Sequence, residues 1–395
     1  MIGFFFAKKK AGDPFFGIAY QACLQAMIYS KWNDHGRKTN MTTGYNPDFN
    51  PNGIEGAVDT NEIPWISLPQ APGMAIKPMR ASGETGMFSA VIQVKGGTEL
   101  KDLVYLGAMD MLVLSGVLKY PDGPMAGTLK PGTWGYIPAN ARVDRFVAVE
   151  DVEFLANFYG AVAFLSKDGR VSSILTAVDL ILAAREQGVT LVPNTLAECM
   201  QERPPAFNGQ AEPLAIAGTD AKALVASAEK IVDVGRSVSP HFVDTRAIPW
   251  IDNPDVPGMG LKVIRVSEET GITSLIVKHN SVAGPHYHLG AADFMVLNGH
   301  IGYRAGPPEG YGPGVWFYEP AGARHEATQR VGEEDLIYTA NVYGPLQFDE
   351  GQGTPIAAVL SWMQYKELAI SAGIELVYNT FEGDSSIMAW APIKA

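Results

Sequence analysis

Cysteine is almost absent from this chain: Cys23 and Cys199 are the whole complement of its 395 residues. Two thiols so far apart imply neither a disulfide framework nor a thiolate metal site, so a reducing, cytoplasmic setting is the default expectation. Basic residues are short as well. Thirty Lys and Arg stand against 42 Asp and Glu, a net charge of −12, which argues against nucleic acid and anionic membrane as partners. No long apolar run is present. Residues 16–32 come nearest, but Gln21, Gln25 and Lys31 interrupt them, leaving a segment too short and too polar to span a bilayer. Phe4, Phe5 and Phe6 precede Lys8, Lys9 and Lys10, the reverse of the order in a secretory signal. Residues 1–40 therefore read as an N-terminal extension, loosely packed or not native, with Met41 as the alternative natural start.

What is present points to an all-β protein of about two domains. Gly 42 and Pro 27 are plentiful, as turns between many short strands require. The chain also repeats itself. Ile63-Pro64-Trp65 returns as Ile248-Pro249-Trp250, a shift of 185. Residues 106–116 return as 289–299, and 188–195 as 373–380. Repetition over this length means two homologous units, placed at 41–200 and 235–395 with a linker or helix at 201–234. Within each unit, apolar runs such as 87–94, 109–114, 272–278 and 314–320 are bounded by Gly and Pro and read as strands. Each unit is expected to end in an amphipathic helix, 173–187 and 356–372, and a short strand.

Three histidines carry the chemistry. His286 and His288 sit two apart in a run that reads as a strand, and alternate strand residues share a face. His325 follows a strand and a Pro/Gly turn. Three imidazoles converging inside a barrel would make a metal site. The first unit has Leu103, Tyr105 and Val143 at the aligned positions, so it is expected to be a degenerate copy without metal. Asp110, aligned with Asp293, reads there as a buried hydrogen-bonding group.

His286, His288, Asp293 and Gly299, then Gly314, Pro320, Gly322 and His325, resemble the two cupin motifs. The resemblance implies two tandem cupin barrels (jelly rolls, or double-stranded β-helices), each followed by a short helix. The segment Asn341-Val342-Tyr343-Gly344, followed by an apolar helix with Trp362, is similar to the three-histidine non-haem iron dioxygenases that cleave acetylacetone or dihydroxyacetophenone. Those relatives are mostly single-cupin chains, whereas this chain is doubled.

The dioxygenase resemblance implies Fe(II) on His286, His288 and His325. It implies a small ketone (a β-diketone or α-hydroxyketone) and O2 as substrates, and scission of a C–C bond. Zn, Mn or Ni would suit the same imidazoles, so a metal-dependent isomerase or hydrolase, and a non-catalytic sensor, stand as alternatives. Position 292 is Ala where cupins often carry a glutamate, and Asp293 is expected beside the metal, shaping the pocket, rather than as a ligand. Arg324 is a candidate contact for an anionic substrate. Phe294, Met295, Tyr303, Trp316 and Tyr318 are candidate cavity walls. A homo-oligomer is expected to be compatible with the exposed sheet edges of such barrels.

Overall fold

The computed structural model describes residues 56–389, apart from 124, 200, 202, 219, 228–238, 253–256, 304–305, 326, 350–354 and 381–387. The N-terminal extension and Met41 lie outside the described residues. Two jelly-roll barrels follow one another. The first joins a seven-stranded and a six-stranded antiparallel sheet. The second joins a seven-stranded sheet to a four-stranded and a two-stranded one. The expected strands form: 87–94 becomes Phe88–Val94, 272–278 becomes Thr273–His279, and 314–320 becomes Val315–Glu319.

The two helices are shorter than the apolar pattern suggests. Residues 171–175 and 356–360 are strands, Val171–Leu175 and Ile356–Leu360, and the helices begin only after them, at Ala177–Glu186 and Trp362–Ser371. The cause is capping. Thr176 and Asp179, and likewise Ser361 and Gln364, form reciprocal capping boxes that satisfy the first unpaired N–H groups and fix each start. The segments after the helices are not strands. Equivalent backbone bonds hold both, Val192 N to Met79 O (2.8 Å) and Val377 N to Ile264 O (2.9 Å), with equivalent side-chain bonds from Asn194 to Ala81 O and from Asn379 to Val266 O. The 201–234 connection contributes only short 3-10 turns, Ala215–Gly218 and Ala221–Leu224, among its described residues. No described helix is long and apolar enough to cross a membrane.

The barrels exchange strands. Ala57–Asp59, from the start of the first repeat, pairs with Val315–Glu319 of the second barrel. Phe242–Asp244, 185 residues on, pairs with Thr133–Ile137 of the first. A 3-10 turn brings each strand back to its own barrel. Thr60 donates through N and Oγ1 to Gly314 O, and Thr245 does the same to Gly132 O. A fully buried lysine then ties each turn home: Lys77 Nζ donates to Thr60 O and Lys262 Nζ to Thr245 O, both at 2.7 Å. Each ammonium also lies 4.9 Å from a tryptophan ring, Trp65 and Trp250. Burial lowers the lysines to about 8 and about 7, because the desolvated cation is disfavoured.

One apolar cluster fills the first barrel and continues onto the outer face of the second barrel's large sheet, at Met295, Leu297, Trp316 and Tyr318. A separate cluster lines the second barrel's interior, including Phe294, Val296 and Phe317. Alternate residues of the strand Ala292–Asn298 thus serve the cavity and the inter-barrel contact in turn.

Candidate metal centre

His286 and His288 lie on the strand His286–His288, both buried, with the intervening Tyr287 on the other face. Their ring centroids are 5.1 Å apart. His286 Nδ1 is 2.8 Å from the carbonyl oxygen of Gly284. A carbonyl only accepts, so Nδ1 carries the proton and Nε2 keeps the lone pair a metal needs. The strand Arg324–His325 runs antiparallel to this one, with His325 directly opposite His286. The side chain of His325 is outside the described residues. Among the described side chains, no three His, Cys, Asp or Glu are gathered as a ready cage.

Glu319 completes the described polar group, and sequence reasoning did not single it out. Its Oε2 lies 2.8 Å from His288 Nε2, and both side chains are almost wholly buried. Tyr303 Oη donates to Glu319 Oε1 at 3.2 Å. Burial, and then the Glu319 charge, holds the Tyr303 and Tyr338 hydroxyls above their usual range. The signal was available. Glu319 is the one charged residue in the apolar strand Val315–Glu319, directly before Pro320.

These groups border a cavity of about 130 Å³ inside the second barrel. Its walls are mostly aliphatic and aromatic, among them Leu261, Leu275, Phe294, Val342 and Phe348. Among the described residues lining it, Glu319 is the only acid and there is no Lys or Arg. The donor set fits a divalent metal: two imidazoles on one face, a third histidine in register, and a carboxylate within reach.

The family model for the ChrR cupin-like domain matches residues 55–163 and again 238–345, together more than half of the chain. The chain belongs to the ChrR cupin-like domain family. It is a bicupin, with one copy of the domain in each barrel. No curated protein matches it significantly. Among solved structures it is similar to an acetylacetone dioxygenase from Acinetobacter johnsonii (16% identity over 39% of this chain and 98% of that one, TM-score 0.29). It is also similar to a candidate dioxygenase from Nostoc punctiforme (11%, 77% and 85%, 0.44) and to oxalate decarboxylase from Bacillus subtilis (13%, 77% and 78%, 0.40).

Two expected site residues of this bicupin stand elsewhere. Asp293 does not line the cavity. It turns to the inter-barrel face, where Tyr343 Oη donates to it at 2.5 Å and Asn341 Nδ2 lies 3.4 Å away. Arg324 does not line the cavity either. Its Nη2 bonds Asp349 Oδ1 at 3.0 Å, with both side chains buried. Of the expected cavity walls, Phe294 and Tyr303 line it, whereas Met295, Trp316 and Tyr318 belong to the inter-barrel core.

In the first barrel the same register brings Leu103 opposite Val143, and Leu103 and Tyr105 line a cavity of only about 40 Å³. That space admits a water or two, not a metal with an organic ligand, and its described lining holds no His, Cys, Asp or Glu.

Proposed function

We propose that this bicupin is a non-haem Fe(II) dioxygenase that uses O2 to cleave a C–C bond of a β-diketone or α-hydroxyketone. The reading rests chiefly on one observation: the histidine pair opens onto an apolar cavity lined by no described cation. A di- or monocarboxylate entering such a space would surrender its hydration with no counter-charge from the walls. A neutral ketone with apolar substituents loses little and fits the lining. His286, His288 and His325 would hold the metal. Being neutral, they leave its full positive charge to favour an oxygen chelate that becomes anionic on binding. Iron there would supply the Lewis acidity and the O2 chemistry. The walls, including Phe294 and Phe348, orient the ketone and exclude water. Glu319, hydrogen-bonded by Tyr303, can accept the proton released as the ketone enolises.

Glu319 also supports a second reading. A carboxylate 2.8 Å from His288 Nε2 is close enough to join the donor set. That would suit Zn, Mn or Ni in a Lewis-acid isomerase or hydrolase. Oxygen uptake separates the two. Protein reconstituted anaerobically with Fe(II) is expected to consume O2 with one member of a panel of β-diketones and aryl hydroxyketones. Turnover of a ketone without O2 uptake would establish the Lewis-acid enzyme instead. Tight metal binding without any turnover would favour a sensing role.

A further inference from the structure

We propose that Arg324 and Asp349 form a clamp that positions the metal-bearing strands. They would act through the histidines and not on the substrate. The inference rests on the metal reading above.

The strand Arg324–His325 pairs with the metal strand at His286↔His325 and Tyr287↔Arg324, and the same register recurs at the Ala283↔Thr328 bridge. Metal and catalytic geometry demands donor placement to within about 0.5 Å, held by packing and hydrogen bonds behind the donors. On the other edge of the metal strand runs Leu346–Asp349, pairing His286↔Phe348, Tyr287↔Gln347 and His288↔Leu346. Arg324 and Asp349 therefore belong to the two flanking strands. Their 3.0 Å contact reaches over the middle strand from one neighbour to the other. The guanidinium lies 5.4 Å from the ring centroid of Tyr287, the residue between the two histidines, and so behind the site. The pair is 5% and 4% exposed. Buried opposite charges are enforced far more strictly than surface ones, because parting them leaves each uncompensated.

The first barrel supplies an internal control. Register places Arg142 at the position of Arg324, and Leu165 at that of Asp349. Arg142 instead pairs with Asp102 and Asp144 in an exposed group. The copy that lost the histidines thus also lacks the buried clamp.

Cobalt(II) titration of the full chain tests this, with its visible absorption reporting both affinity and coordination geometry. Arg324→Met and Asp349→Asn are expected to weaken Co(II) binding by roughly 10- to 100-fold, the usual effect of removing a group that orients a ligand, and to alter the cobalt spectrum. Arg324→Lys should recover part of the loss. The double variant Arg324→Met/Asp349→Leu leaves no isolated buried charge, so it tests the idea even if a single variant fails to fold. It should stay weak in metal while unfolding cooperatively. Folded clamp variants that bind Co(II) with unchanged affinity and spectrum would overturn the clamp but leave the metal centre standing. Failure of the unmodified chain to bind Co(II) would overturn both.

Discussion

Ala292 faces Glu319 across the antiparallel ladder, and Asp293 faces Tyr318. Cross-strand partners share a face of the sheet. The first pair therefore lines the cavity and the second turns to the barrel interface. This single step of parity decides which acid can serve a metal. If His286 and His288 are donors, His286→Ala or His288→Ala should each cost more than the roughly 10- to 100-fold seen when only a ligand's partner is removed. Metal retention after gel filtration measures it. Leu103→Ala should leave the stoichiometry at a single metal per chain, whereas a second metal would contradict the degenerate reading of the first barrel. That His286 and His288 share a face was legible because their spacing lies within one strand, where parity is fixed locally. Asp293 was not, because the Leu289–Gly290–Ala291 turn breaks the alternation between it and His288. Arg324 was misjudged for a related reason: adjacency to His325 in a strand means the opposite face.

The repeated motifs also mark where chain segments nearly touch. A Cβ on Gly290 would lie 2.7 Å from Gly344 N and Cα, and one on Gly107 would lie 2.5 Å from Gly160 N. Both contacts are backbone on backbone, so neither side can yield by a rotamer change. Gly290→Ala should destabilise the chain by about 1–3 kcal/mol, the usual cost of overpacking, read as a lower urea midpoint at unchanged slope. Gly290 is two residues from His288, so this variant should also weaken metal binding. Gly107→Ala should cost similar stability with metal binding intact. An equal loss of metal in both would refute the local assignment. These elements were visible in the sequence as matched Leu-Gly pairs. The reciprocal strand exchange was not, since Ala57–Asp59 and Phe242–Asp244 carry no pattern that names the sheet they join. The strands before the two helices were also read as helix, because short apolar runs fit either period and only the capping residues mark the change.

At the scale of the whole chain, the two large sheets bury a pair of carboxylates between them. Tyr159 Oη donates to Asp110 at 2.6 Å and Asn157 Nδ2 at 3.0 Å, mirroring Tyr343 and Asn341 around Asp293. Asn341 Nδ2 also lies 3.5 Å from Asp110, which links the two groups across the interface. Arg80 stacks on Tyr318 at 3.8 Å and Arg265 on Tyr136 at 3.7 Å, each crossing from one barrel to the other. Burial, and then the charge of Asp110, raises Asp293 to about 7. Burial raises Asp110 to about 6, against the hydrogen bonds and Arg265 that oppose it. An unfolded aspartate titrates near 3.9, so between these values the folded chain holds protons that the unfolded chain has released. The stability this confers is complete below pH ~4 and is lost as pH rises through about 6 and then 7. Lys262, lowered to about 7 by burial, acts in the opposite sense. The unfolded chain keeps its proton up to pH ~10, so stability from this group rises above neutrality. The raw curve mixes the two, and the difference between variants separates them. Asp293→Asn places a permanently neutral acceptor before Tyr343 and leaves Lys262 untouched. Its thermal midpoint should gain on that of the unmodified chain from about pH 4 and level off above about pH 7, and adding Asp110→Asn should steepen the gain below about pH 6. Curves that stay parallel across this window would mean that the interface carboxylates keep their ordinary titration.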